Sequence, residues 1–200
     1  MTILRVVAIS TLVPILFTDA PYNFSSAQIG LFFVSGFIGI LVAYPIAGPL
    51  TDIFSGWMCA RNNSIHKPEH RIPALLVPFL ICPPSLIVFG CTIANNQSYI
   101  YPAIGTAMSS AALTMVPSVM LSYVVESYPL MSGEGLVLVN TAQNVVAFGI
   151  SESANSWLES EGLEVLFENL AGIQWAVLSL ALPLFFLGPW IRSKTGGILA

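Results

Sequence analysis

Charged side chains are scarce in this sequence. Only 8% of its 200 residues are Asp, Glu, Lys or Arg, whereas soluble domains contain about 25%. Hydrophobic residues make up 56% of the chain, and the mean hydropathy is +0.82. A soluble fold of this length does not have enough polar surface to cover so many apolar side chains. The composition therefore excludes an ordinary soluble domain and predicts a protein whose apolar faces are solvated by a lipid bilayer.

Cysteine and histidine, the residues most often used in disulfides and metal sites, are also few. Cys59, Cys82 and Cys91 show no spacing typical of disulfides or metal ligands, so we expect them to be packing residues. His66 and His70 are four residues apart, but no third ligand type accompanies them on an apolar face. No nucleophile with a base, and no catalytic pair of carboxylates, is recognisable. We expect no enzyme activity, no metal, no cofactor and no nucleic-acid partner.

Long uncharged stretches dominate the chain, and a membrane-spanning helix needs about 20 apolar residues. The uncharged stretch 72–125 is too long for one helix, and the polar segment Asn95-Asn96-Gln97-Ser98 divides it. The apolar runs are continuous rather than alternating, unlike barrel strands. The sequence thus predicts an all-α membrane protein, with residues 1–200 forming a single transmembrane domain of six helices. The predicted spans lie near 3–18, 27–48, 72–92, 99–126, 134–151 and 169–190.

The basic residues predict the orientation, because Lys and Arg collect on the cytoplasmic side of a membrane. They are Arg5, Arg61, Lys67, Arg71, Arg192 and Lys194. Arg5 lies at the start of the first span, Arg192 and Lys194 follow the last span, and the other three lie in the loop 49–71 between the second and third spans. The connector after the fifth span is acidic, with Glu152, Glu159, Glu161, Glu164 and Glu168. We therefore predict that both termini and the loop 49–71 are cytoplasmic, in either the plasma membrane or a vacuolar or other internal membrane.

The predicted cytoplasmic loop contains a cluster of charged residues. We expect Gly48 to end a helix at a close backbone approach, and Asp52 to accept hydrogen bonds at a helix end. Arg61 or Arg71 would hold Asp52 in place, and Glu69 would complete a mixed ion network.

Several motifs carry a family resemblance. Gly48-x-x-x-Asp52 followed by Arg61 resembles the loop signature between the second and third helices of each half of the major facilitator superfamily, although Ile53 replaces its usual basic residue. Pro68-Glu69-x-Arg71-x-Pro73 is similar to the continuation in fungal members related to drug and polyamine proton antiporters. Four further stretches fit that branch: Pro21-Tyr-Asn-Phe24, Glu126-Ser-Tyr-Pro129, Gly133-Glu134-Gly135 and Ala171-Gly-Ile-Gln174.

The resemblance implies a fold and a mechanism. The six helices would be the C-terminal half, helices seven to twelve, with the first helix truncated. Such proteins move a small solute by alternating access between two halves, often coupled to protons, so a complementary N-terminal half or a second copy is an expected partner. The resemblance also implies a cytoplasmic gating motif in which Glu126 pairs with Arg61 or Arg71. Its members are Gly48, Asp52, Arg61, Glu69, Arg71 and Glu126.

Four amide side chains lie within the predicted spans: Asn140, Gln143, Asn144 and Gln174. Because an amide in hydrocarbon is costly without a partner, we expect them to face the bundle interior or a wet cavity. They would either contact substrate or form hydrogen bonds between helices. No acidic residue lies near the middle of a predicted span, so the proton-binding group of a coupled transporter is expected in the other half.

Small residues in the second and fourth spans predict close helix contact: Ser35, Gly36, Gly39, Ala43 and Ala47, and Gly105, Ala107, Ser109, Ser110, Ala111 and Ala112. Prolines predict kinks at Pro45, Pro78, Pro83, Pro84, Pro117 and Pro183. Two alternatives to transport stay open: a non-transporting membrane scaffold or inactive fragment, and an integral membrane enzyme.

Overall fold

The computed structural model describes residues 2–18, 22–62 and 67–195, and these contain eight α-helices, two 3-10 helices and no β-strand. The α-helices are α1 Thr2–Thr18, α2 Ser26–Phe32, α3 Val34–Arg61, α4 Leu76–Ala94, α5 Ile100–Ser127, α6 Ser132–Glu161, α7 Leu163–Ser179 and α8 Ala181–Thr195. The 3-10 helices are Pro68–Leu75 and Pro129–Met131. His66 and the side chains of Arg5, Glu152, Glu159, Glu161 and Arg192 lie outside the described part. The predicted fold class, an all-α membrane bundle, is confirmed.

Four helical runs are long and apolar enough to cross a bilayer: Ser26–Arg61, Pro68–Ala94, Ile100–Ser127 and Leu163–Trp190. They correspond to the second, third, fourth and sixth predicted spans. Helices α1 and α6, which contain the first and fifth predicted spans, are not among them; α1 is only 17 residues long.

The predicted loop 49–71 is mostly helical, which differs from the expectation. Helix α3 continues to Arg61, and the 3-10 helix begins at Pro68. The reason is a stripe of small buried residues, each four apart, that runs from Ala43 and Ala47 through Thr51 and Ser55. Residues four apart lie on one face of a helix, so the packing of this stripe favours a continued helix. The prediction placed the end of α3 too early because it relied on where charged residues appear. In the same way, α6 continues to Glu161 through part of the acidic segment predicted as a connector.

The small residues of α3 and α5 bring these two helices together, as predicted. A Cβ added at Gly39 would collide with the Ala107 backbone, and one added at Gly36 would lie 2.8 Å from Ser110 Oγ. On the other face of α5, a Cβ at Gly105 would lie 3.0 Å from the backbone oxygen of Ser85 in α4. Close backbone approach therefore sets the spacing of α3, α4 and α5.

An aromatic and aliphatic core joins α1, α4 and α7. Phe17, Leu86, Phe89 and Phe167 are fully buried, and the rings of Phe89 and Phe167 are 5.0 Å apart at their centroids. The polar turn predicted between α4 and α5 is present, with Asn96 at φ +50°, a conformation that Asn tolerates better than most residues.

The prolines fall mainly inside continuous helices. Pro45, Pro83 and Pro117 lie within α3, α4 and α5, which run on past them. Pro183 instead coincides with the break at Leu180 between α7 and α8. Proline lacks an N–H and its ring clashes with the carbonyl four residues earlier, which here is that of Ser179, the last residue of α7.

Candidate functional site

The arginine of the first 3-10 helix connects three elements at one end of the bundle. Arg71 Nε donates to Glu126 Oε1 at 2.9 Å, and Arg71 Nη2 lies 2.6 Å from the same oxygen. Arg71 Nη1 lies 3.5 Å from Asp52 Oδ1. Asp52 belongs to α3 and Glu126 to the last turn of α5. A single guanidinium therefore links α3, the 3-10 helix and α5.

The two ion pairs of this cluster differ in strength. Glu126 lies at the C-terminus of α5, where its negative charge opposes the helix dipole, so a cation beside it offsets an unfavourable interaction. The Arg71 and Glu126 side chains are only 20% and 28% exposed, whereas Asp52 is 72% exposed. An exposed pair at 3.5 Å contributes little, at most about 1 kcal/mol. The Arg71–Glu126 pair is therefore the firm contact, and Asp52 is the one that can readily change partners.

Two other members of the predicted gating motif lie elsewhere. Arg61 is exposed and stacks on the Trp57 ring, with its guanidinium carbon 4.0 Å from the ring centroid. Of the two partners that the sequence allowed for Glu126, the structure therefore selects Arg71. Glu69 is only 3% exposed; its Oε1 would be 3.4 Å from a Cβ at Gly188 of α8. The 3-10 helix turns this side chain against α8, and its membership of the expected ion network stays a prediction.

The expected role of Gly48 at the end of a helix is wrong. Gly48 does not end a helix, since α3 continues for another 13 residues to Arg61. No atom of a neighbouring element lies within 4 Å of the position that a Cβ would occupy there. The close approach occurs two to three turns earlier, at Gly36 and Gly39, where α5 crosses α3.

The four amide side chains do not form one site within this chain. Gln174 is 5% exposed and its Nε2 donates to Cys82 Sγ at 2.6 Å, joining α7 to α4. Asn140 and Asn144 of α6 are exposed, and Gln143 is partly buried. Asn140 Nδ2 donates to the carbonyl of Leu136 in its own helix at 2.9 Å. Of the two expected environments, the bundle interior holds for Gln174; for the exposed Asn140 and Asn144, a wet cavity stays a prediction.

Two surface cavities among the described residues differ in the polarity of their lining. One, of about 670 Å³, runs along α6 and is lined by Met131, Gly133, Glu134, Val137, Leu138 and Thr141. The other, of about 430 Å³, is an apolar groove between the C-terminal part of α3 and the α7–α8 segment. None of the four amides lines either cavity.

A mixed cluster that the sequence did not predict lies at the N-terminus of α7. The Cys91 sulfur of α4 and the carboxylates of Glu164 and Glu168 have ligand atoms within 4.8 Å of one another. Both glutamates are exposed, and exposed groups of this kind are common without a metal. In the sequence, Cys91 lies near the end of the third predicted span, and the two glutamates come shortly before the sixth. Their proximity follows only from the packing of α4 on α7.

Comparison with known proteins identifies relatives among fungal transporters. The chain is 26% identical over 177 residues to Protein HOL1 of Saccharomyces cerevisiae, covering 88% of this chain and 30% of that protein. It is 24% identical over 177 residues to an uncharacterised MFS-type transporter of Schizosaccharomyces pombe, with the same coverage. It is 28% identical over 158 residues to the MFS antiporter QDR3 of Candida albicans, covering 78% of this chain and 22% of that protein.

Other comparisons gave no match: no protein-family profile and no solved structure matches the chain. The chain spans less than a third of the length of these relatives. The relatives named by activity are transporters rather than enzymes. The resemblance seen in the loop motifs is therefore confirmed, and the chain is a multi-pass membrane protein related to fungal transporters of the major facilitator superfamily.

Proposed function

We propose that this chain forms one six-helix half of a secondary transporter, the C-terminal half, which moves a small solute by alternating access. The end that contains Arg61 and Arg71 would face the cytoplasm, since basic residues collect there. The observation that carries the proposal is the joint contact of Arg71 with Asp52 and Glu126 in a chain related to transporters.

The Arg71 cluster would act as a cytoplasmic latch. Glu126 is held firmly by two guanidinium nitrogens, so α5 and the 3-10 helix move together. Asp52 is largely exposed and only loosely held, which leaves its carboxylate available to a group on the complementary half. Contact with that group would close the cytoplasmic side, and its loss would open that side.

The solute pathway would run along α6, on the face that this chain leaves uncovered. Asn140 and Asn144 are exposed there, although an amide facing hydrocarbon is unfavourable. A water-filled cavity between two halves would solvate both amides and allow them to contact solute. In a proton-coupled transporter of this design, the proton-binding acid would come from the other half.

A second candidate is an inactive fragment or scaffold. The chain spans about 30% of the length of HOL1, and half of a transporter contains only half of the solute site. In this alternative, α6 faces lipid or an unrelated partner, and Asn140 has no contact with water.

Cysteine labelling distinguishes the two candidates without knowledge of the solute. In a chain whose three cysteines are replaced by serine, Asn140→Cys should react with a membrane-impermeant maleimide in vesicles of native membrane, where the complementary half or second copy accompanies the chain. The matched control is Phe186→Cys on α8, which replaces a side chain that is 75% exposed but should face lipid and stay unlabelled. Labelling of neither variant would contradict the proposed pathway and favour the scaffold.

The latch has its own measurement in the same vesicles. Adding Arg71→Gln to the Asn140→Cys chain should increase labelling from the cytoplasmic side several-fold, because the latch no longer holds that side closed. Arg61→Gln, which removes an equal charge outside the cluster, should leave the labelling rate unchanged. Equal rates for the two variants would refute a gating role for Arg71.

The native cysteines test the orientation. Cys59 lies two residues before Arg61, and Cys91 lies three residues before the end of α4 at the opposite end of the bundle. Both are partly exposed, whereas Cys82 is buried. Impermeant maleimide should label Cys59 from the cytoplasmic side and Cys91 from the other. The reverse pattern would invert the proposed topology.

A further inference from the structure

The apolar groove is built from helices that meet at the basic end of the bundle. Its lining residues include Phe54, Trp57, Ile72, Phe79, Leu182 and Phe186. They come from α3, the 3-10 helix, α4 and α8, and nearly all of the lining is carbon. Its volume of about 430 Å³ lies in the range of pockets that hold small molecules, roughly 300–1,000 Å³.

Both helices that border the groove carry the same aromatic–cation pair. On α3, Trp57 lines the groove and Arg61 stacks on its ring, four residues further along. On α8, Leu182, Phe186, Trp190 and Lys194 follow one another at intervals of four. The ammonium of Lys194 lies 4.5 Å from the centroid of the Trp190 ring, so this stripe begins in the groove and ends in a cation.

The two pairs lie at the same end of the molecule. Gly188 of α8 lies beside Glu69, in the first turn of the 3-10 helix that follows α3. Leu182 and Phe186 of α8 share the groove lining with Phe54 and Trp57 of α3, so the middle of α8 lies beside the C-terminal part of α3. Arg61 and Lys194 are both exposed, and each follows a groove-lining residue of its own helix: Arg61 comes four residues after Trp57, and Lys194 eight residues after Phe186.

We propose that this groove binds an anionic phospholipid, with acyl chain against the aromatic lining and head-group phosphate between Arg61 and Lys194. Cations at this end alone would follow from the general excess of Lys and Arg on the cytoplasmic side. What points to a bound lipid is that each cation is held over a tryptophan on a helix that borders one apolar groove. Tryptophan favours the depth of the lipid head groups, and basic pockets between membrane helices bind anionic head groups.

Native mass spectrometry of the purified full chain tests the site. The chain is stripped of lipid in detergent and given dioleoyl phosphatidylserine or dioleoyl phosphatidylcholine, which differ in charge but share acyl chains. Each cation near a membrane surface contributes about a fivefold preference for anionic lipid. The chain should therefore retain phosphatidylserine preferentially, and Arg61→Gln with Lys194→Gln should lower this preference about 25-fold. Equal retention of both lipids by the unaltered chain would overturn the proposal.

A matched control separates this site from general charge. Arg5→Gln removes one cation from α1, none of whose described side chains lines the groove, and should leave the lipid preference unchanged. If Arg5→Gln lowers the preference as much as Arg61→Gln does, the site proposed here is wrong.

Filling the groove tests the apolar part of the proposal. Ser179→Trp places a large ring in the lining and should reduce retention of both lipids, while glycerophosphoserine, the head group without acyl chains, should displace neither. Displacement by that soluble head group would show an anion site without an acyl groove and would overturn the proposal. A stable dimer that Ser179→Trp dissociates would assign the groove to a second copy of the chain instead.

Discussion

The contact between α3 and α5 supports a sharp test with two substitutions in one helix. Gly39→Ala places a methyl group against the Ala107 backbone, 2.8 Å from the carbonyl carbon and 3.0 Å from Cα. Ordinary contacts of a Cβ begin at 3.4 Å, and the Ala107 carbonyl oxygen would lie closer still, so α3 and α5 would have to separate by more than about 0.6 Å. Because the obstructing atoms are backbone, no side-chain rotation relieves the clash.

The expected magnitude follows from two opposed effects. Replacing Gly by Ala in a helix interior favours folding by about 1 kcal/mol. Overpacking in a close helix contact costs about 1–3 kcal/mol, and here it also separates neighbouring residues such as Gly36 and Ala43 from α5. We expect Gly39→Ala to be about 0–2 kcal/mol less stable than the unaltered chain. Gly48→Ala, in the same helix with no neighbour within 4 Å, should be equally stable or up to about 1 kcal/mol more stable.

Unfolding of the purified chain in mixed micelles by increasing sodium dodecyl sulfate, followed by tryptophan fluorescence, measures this difference. The order of midpoints should be Gly48→Ala, then the unaltered chain, then Gly39→Ala. A Gly39→Ala midpoint at or above that of Gly48→Ala would refute the close packing of α3 on α5. Gly39→Leu should lower the midpoint further, since its side chain extends beyond the first clashing atom.

Two further predictions concern polar contacts at the two ends. Arg71→Gln leaves the partly buried Glu126 carboxylate without its cation, so it should lower stability by about 1–3 kcal/mol. Arg61→Gln should lower stability by at most about 1 kcal/mol. Adding Glu126→Gln to Arg71→Gln should restore part of the lost stability, and no restoration would contradict the pairing of Arg71 with Glu126. Tyr22 Oη donates to the Gln97 carbonyl at 2.5 Å, and burial raises the pKa of Tyr22 above its usual value of about 10. The folded chain therefore holds the Tyr22 proton more tightly than the unfolded chain does. The stability of the chain should fall as pH rises above about 10, and it should fall less in Tyr22→Phe.

Some contacts of the candidate site followed from the sequence because they depend on local features. A carboxylate at the end of a helix needs a cation, and Glu126 had only Arg61 and Arg71 to choose from once the resemblance placed it beside the 49–71 segment. Arg71 was therefore one of two candidates. The choice between them depended on the 3-10 helix Pro68–Leu75, which positions Arg71 beside α5, while Arg61 lies over Trp57 on α3.

Other contacts had no signal along the chain. Gln174 and Cys82 are 92 residues apart and meet only because α7 packs on α4. The same packing brings Cys91 to Glu164 and Glu168, although Cys91 was expected to be a packing residue. The exposure of Asn140 depends on how α6 is rotated about its axis, which spacing alone leaves undetermined.

The sequence by itself determined that lipid surrounds the chain and that the fold is all-α. Scarce charge, long apolar runs and basic residues in alternate connectors are properties that each segment has independently, so hydropathy is enough to predict helices in a bilayer. Tertiary structure decided where α3 ends, which face α6 exposes, and that Glu69 is buried against α8. These features depend on which helix faces meet, and in lipid that choice is made by close packing of small residues and by polar contacts between helices rather than by hydrophobicity.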